Sequence, residues 1–123
     1  MRVFLLPVTL TAALMSVNTA LASGDIEHFK GLPANSLEQA LSNFVEYNKR
    51  LENILAGELT TETMTQVHEL TYTLENALER IRQDSAELAE TLEEVHLASE
   101  RYDAEAVRKH GQDYLKVSSQ LVH

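Results

Sequence analysis

Between Gly57 and Gly111 the chain contains no glycine and no proline. Nothing in that stretch compels a turn, and an apolar line runs through most of it. Val67, Leu74, Leu78, Ile81, Leu88, Leu92 and Val95 follow one another in steps of seven, four and three, with Thr71 and Ser85 in the two remaining places. This is a heptad pattern of about four and a half repeats over residues 64–95. Ala, Leu, Glu and Arg, all good helix formers, dominate the segment. The pattern predicts one helix of about 38 residues from "TTET" onward, roughly 57 Å long at 1.5 Å per residue. Every other element must be laid along this rod.

Two shorter helices flank it. Ser36 and Gln39 fit a capping box. Leu37, Leu41, Phe44, Leu51 and Leu55, joined by Ala40, Tyr47 and Ile54, then repeat at helical spacing, with Gly57 as a left-handed cap, so the first helix covers 37–56. "RYD" ends the long helix, and Asp103 caps a last helix through Ala104, Val107, Gly111, Tyr114, Ser118 and Leu121. The fold class is all-α: an antiparallel bundle of three helices with a long central one, residues 37–123 forming the domain. Lengths of about 20, 38 and 19 residues leave each short helix covering only one half of the long one. The surplus is resolved either by a break at "RQDSAEL", with Asp84 and Glu87 as a capping pair, or by a swapped dimer that completes four-helix bundles. The dimer is the expectation.

Residues 1–22 are expected to leave before this domain folds. Arg2 begins a short basic region, "VFLLPVTLTAALM" is too short and Pro-interrupted for a good membrane span, and Ala20-Leu21-Ala22 carries small residues where signal peptidase cuts. Cleavage after Ala22 would deliver the protein to the periplasm, with residues 23–36 as an extended arm in which Gly31 and Pro33 oppose helix. The remaining 101 residues then carry 9 Lys and Arg against 19 Asp and Glu, a net charge of −10. Nucleic acid and anionic lipid both require basic surface, so neither is expected as a partner. The absence of cysteine excludes thiol redox chemistry and covalent haem attachment. About 100 residues without a disulfide must be held by apolar packing, helped by association with another copy or another exported protein.

"SLEQALSNFVEYNKRLENIL" and "LEEVHLASERYDAEAVRKHGQDYLKVSSQL" have the rhythm of helices in the soluble b-type four-helix cytochromes of the bacterial periplasm, which the chain distantly resembles. The resemblance implies a helical bundle in that compartment. It does not imply haem, because the family's methionine and histidine ligand positions fall on Leu41 and about Leu121. "VHELTYTLENAL" and "EVHLASER" are similar to segments of an uncharacterised family of small exported proteobacterial proteins, a likeness that carries fold without mechanism.

Five residues carry donor chemistry worth weighing: Met64, His68, Glu93, His96 and Glu100. Met64 and His68 lie one turn apart, and thioether with imidazole suits copper or haem b. Against this, Met64 can fill the end of a core while His68 lies roughly 90° from the apolar line. His96 repeats the Val-His phrase 28 residues later, with Glu93 and Glu100 one turn to either side. Within one straight helix the two histidines stand roughly 42 Å apart. An antiparallel pair of long helices centred near Arg82 would bring His68 of one chain to His96 of the other, a conceivable zinc or copper site. Surface Glu–His pairs on acidic helices are the plainer explanation, and no cofactor is expected. His28 and His110 read as surface residues, Gly111 as a point of close helix contact or a ligand gap, and Tyr47, Tyr72, Tyr102 and Tyr114 as core-edge aromatics. The sequence contains no G-x-S-x-G, phosphate loop or H-E-x-x-H, and Tyr72 stands where the second histidine of that last motif would be. The expected function is a non-catalytic, exported, interacting or self-assembling module; the alternative is a metal- or haem-binding protein.

Overall fold

The computed structural model describes residues 30–122. They form three helices, α1 (Leu37–Leu55), α2 (Thr61–Glu100) and α3 (Ala104–Leu121). The domain is all-α, and both short helices pack against α2. Signal cleavage, His28 and residues 23–29 of the expected arm lie outside the described residues.

Local chemistry fixes each boundary. Ser36 Oγ accepts the Gln39 amide at 3.1 Å, while Gln39 Oε1 accepts the Asn35 amide at 2.8 Å, one residue earlier than a capping box requires. Thr60 and Thr63 do form a reciprocal box at the start of α2, with hydroxyl–amide distances of 2.7 and 3.2 Å. Asp103 Oδ1 accepts the Ala106 amide at 3.0 Å and starts α3 as expected. Glu38, Glu62 and Glu105 lie in the three first turns, where the helix dipole favours an acid.

One expectation about helix ends is corrected, and one alternative falls. Gly57 is not left-handed; α1 closes on Ala56 in right-handed conformation, with the Gly57 amide donating to Ile54 O at 3.1 Å. "RQDSAEL" does not break α2, which runs for 40 residues, about 60 Å. Asp84 cannot cap there because it accepts two bonds from Arg80 one turn earlier, at 2.6 and 3.2 Å.

The left-handed cap falls instead on Tyr102, whose φ is 56°. The Asp103 amide reaches Ala98 O at 3.0 Å and the Tyr102 amide reaches Ser99 O at 3.1 Å, the paired bonds of a Schellman motif. Tyr102 is therefore no core-edge aromatic; its side chain is 94% exposed, while Tyr47, Tyr72 and Tyr114 are half-buried.

At any level along α2 only two helices lie side by side. α1 occupies the N-terminal half, α3 the C-terminal half, and they touch only where the start of α1 meets the end of α3. Two helices cannot enclose a core, since each removes a single stripe of the other from water. The buried apolar residues are accordingly few, three leucines and three alanines: Leu37, Ala40, Leu70, Leu74, Ala77 and Ala98.

Candidate interaction face

The three helices share one packing code. On α2 the central line is Val67, Leu74, Ile81, Leu88 and Val95, and the line three residues further on, Leu70, Ala77, Asp84, Thr91 and Ala98, completes the contact with α1 and α3. On α1 the equivalent lines are Leu37-Phe44-Leu51 and Ala40-Tyr47-Ile54; on α3 they are Val107-Tyr114-Leu121 and His110-Val117. His110 is thus half-buried, where the sequence suggested surface.

The line four residues on from each central line is left over. On α2 it holds Met64, Thr71, Leu78, Ser85 and Leu92, of which Met64, Leu78 and Leu92 are 54, 50 and 46% exposed. The apolar line expected to form the core is thus split: its central positions pack, while Leu78 and Leu92 face outward and Met64 does not plug a core end. On α1 the leftover line is Leu41, Asn48 and Leu55; on α3 it is Ala104, Gly111 and Ser118. Because α1 and α3 are antiparallel to α2, the sense of rotation reverses between neighbours, and all three leftover lines lie on the same side. Val45 and Leu115, both exposed, extend the apolar surface at its far edge. Gly111 is not a point of close contact within the chain, since a Cβ built there meets nothing within 4 Å.

The opposite side is sealed by residues 30–35. The Leu32 amide donates to Thr73 Oγ1 at 3.0 Å, and Asn76 Nδ2 donates to the carbonyls of Lys30 and Leu32 at 2.9 and 3.0 Å. Arg80 Nη1 donates to Asn35 O at 3.1 Å and Asn43 Nδ2 to Pro33 O at 3.2 Å. Thr73 is fully buried beneath this segment. Gly31 is the tight point, with φ at 69°, and any Cβ would lie 2.6 Å from the Thr73 nitrogen. Sequence reading missed this clasp, because four of its five bonds join residues 41–46 apart and Thr73, Asn76 and Asn43 belong to no apolar line.

The histidine sites remain separate. His68 Nε2 lies 3.3 Å from the Tyr72 hydroxyl, with the rings edge to face at 5.2 Å. His96 Nε2 lies 3.1 Å from Glu100 Oε1, both side chains being mostly exposed. Glu93 is exposed on the same helix. Among the described residues no group of three or more His, Cys, Asp or Glu comes together as a metal cage, and no helix is long and apolar enough to cross a membrane.

A two-pronged ion pair lies near the middle of α2. Arg82 binds Glu79 through two nitrogens at 2.7 and 2.9 Å. This guanidinium, followed by the Gln83 amide, holds the Glu79 carboxyl well below its usual range, at about 2. The carboxylate of Asp84 raises Arg80 in turn.

No curated protein and no solved structure is significantly similar to the chain. Over residues 1–123 the chain belongs to a family of unknown function, DUF6746.

Proposed function

We propose that this protein is a small, exported, non-catalytic helical module of the periplasm that acts by protein–protein contact through its open face. The observation that carries the reading is the placement of Met64, Leu78 and Leu92, each about half exposed, at two-heptad intervals along one side of α2. Isolated exposed leucines are ordinary, but Met64, Leu78 and Leu92 in line on α2, with the exposed Leu55 on the same side of α1, mark a surface meant for burial. Export rests on the leader-like segment 1–22 and its Ala20-Leu21-Ala22 ending, in keeping with the resemblance to small exported proteobacterial proteins. The acidic balance favours a protein partner over nucleic acid or anionic lipid.

A photo-crosslinking residue at Leu78 or Leu92, compared with one at Glu90 on the far side, tests the reading in cells. Adducts of any kind from the first two positions and none from Glu90 are expected. Equal labelling from all three, or none from any, overturns it. Osmotic-shock fractionation of the same cells checks the compartment.

A further inference from the structure

We infer that the occupant of the open face is a second copy of this chain, packed antiparallel about a two-fold axis that passes α2 between Glu79 and Arg80. This rests on the interaction reading above and names its partner. The face fits itself. In this register the leftover line of α2 meets the central line of the other α2, as in an antiparallel coiled coil. Leu78 pairs with Ile81, and Met64 and Leu92 come level with Val95 and Val67 of the second copy. The two small members of the line fall opposite the bulkiest positions, Thr71 beside Leu88 and Ser85 beside Leu74. Each layer therefore contains at least one large apolar side chain and none stacks small on small.

The same axis lays α1 of one copy beside α3 of the other. The leftover line of α1, with Leu41, Asn48 and Leu55, is the larger-sided of the two, and that of α3, with Ala104, Gly111 and Ser118, the smaller. Larger side chains on α1 thus face a small-sided line on α3, and the open space above Gly111 is filled from outside. A two-fold running along the helices would instead set Ser85 beside Ser118 and Leu92 beside Gly111, leaving gaps.

Charge and area agree. Ten of the residues of α2 are acidic, yet only Glu75 borders the open face, where it comes nearly level with Arg82 of the second copy. α1 carries three acids and two bases, whereas α3 carries two acids and three bases, so their pairing joins opposite signs. A face on the order of 60 Å by 20 Å exceeds the roughly 800 Å² per partner of a standard stable interface. The result is two four-helix units, each built from α1 and half of α2 of one copy and α3 and half of α2 of the other. Packing sets this register, and its centre lies two to three residues from the one that would bring His68 opposite His96.

Sedimentation of the purified protein is expected to show a dimer; a strict monomer at tens of micromolar overturns the inference. The natural chain has no cysteine, so single spin labels can be placed without background. Labels at Met64→Cys should lie about 46 Å apart, and labels at Leu78→Cys under about 20 Å. A short distance at both sites means a parallel pair and overturns the register. The double variant Leu78→Glu/Leu92→Glu, both exposed in the single chain, should keep its helical circular dichroism and weaken association by about 100-fold or more. An undiminished dimer overturns the face. A monomer that still forms Leu78 crosslinks to another protein would overturn the second copy alone; a monomer without crosslinks would overturn the interaction reading as well.

Discussion

Ala77 and Leu78 are neighbours in α2 and lie on opposite sides of its packing boundary: Ala77 is 0% exposed against α1, and Leu78 is 50% exposed on the open face. The smaller residue sits in the closer contact, and the larger one waits outside it. Ala77→Leu should therefore overpack the α1 contact and cost about 1–3 kcal/mol at every protein concentration. Leu78→Ala should cost nothing comparable at nanomolar concentration and progressively more as concentration rises, because in the proposed dimer its partner is the second copy. Chemical denaturation over a hundredfold concentration range separates the two. A concentration-independent loss for both would place Leu78 inside the single-chain core.

That boundary also shows how far the fold was legible. The three helices, Ser36 and Asp103 as caps, and the great length of α2 follow from periodicity and local capping, which are written in consecutive residues. The choice between the two lines flanking Val67-Leu74-Ile81 was not legible. Hydrophobicity favours Thr71, Leu78, Ser85 and Leu92, but α1 and α3 take Leu70, Ala77, Asp84, Thr91 and Ala98, where small side chains allow close approach. The clasp was hidden for a different reason: a glycine and two amides acquire meaning only when distant backbone reaches them. The donors at Met64, His68, Glu93, His96 and Glu100 were easily read as chemistry, yet spacing along one helix says nothing of a third ligand.

Tyr102 holds a conformation that costs a non-glycine residue about 1–2 kcal/mol, and its exposed ring returns little packing within the chain. Tyr102→Gly keeps both Schellman hydrogen bonds and removes that strain. It is expected to stabilise the folded state by about 1 kcal/mol, raising Tm by roughly 4–8 °C for a domain of this size. A lowered Tm would mean that the ring is held by contacts outside the single chain.

Gly31→Ala should release the 30–35 segment, since its Cβ would collide with α2 backbone at Tyr72 and Thr73. Thr73→Val is the milder counterpart, leaving the Leu32 amide without its acceptor at a cost of about 1–3 kcal/mol. In both variants the Leu32 amide should lose hydrogen-exchange protection while α3 amides keep theirs. Unchanged protection at Leu32 would show that the clasp does not depend on these contacts.

Glu79 should titrate at about 2, against an ordinary value of 4.5, because Arg82 and Gln83 bond its charged form. The folded carboxyl is the lowered one, so its contribution to stability is present above pH 4.5 and fades as pH falls towards 2. Arg82→Gln should return the Glu79 carboxyl resonance midpoint to the ordinary range and flatten that part of the acid unfolding curve. Both side chains are more than half exposed, so salt should weaken the effect.

Zinc, copper and haem b provide the sharpest contrast between the two functional readings. His96 has Glu100 as its neighbouring donor and His68 has Tyr72, so each site offers an ion too few ligands for a closed coordination shell. In the proposed dimer the packing register does not bring His68 level with His96. Adding 100 µM zinc, copper or haem is therefore expected to leave Tm unchanged for wild type, His68→Ala and His96→Ala alike. A ligand at 100 times its Kd would add about 2.7 kcal/mol and move the transition visibly. A rise in wild-type Tm that disappears in both histidine variants would install the metal reading. It would also shift the two-fold towards Arg82, a change that the Met64→Cys label distance would record independently.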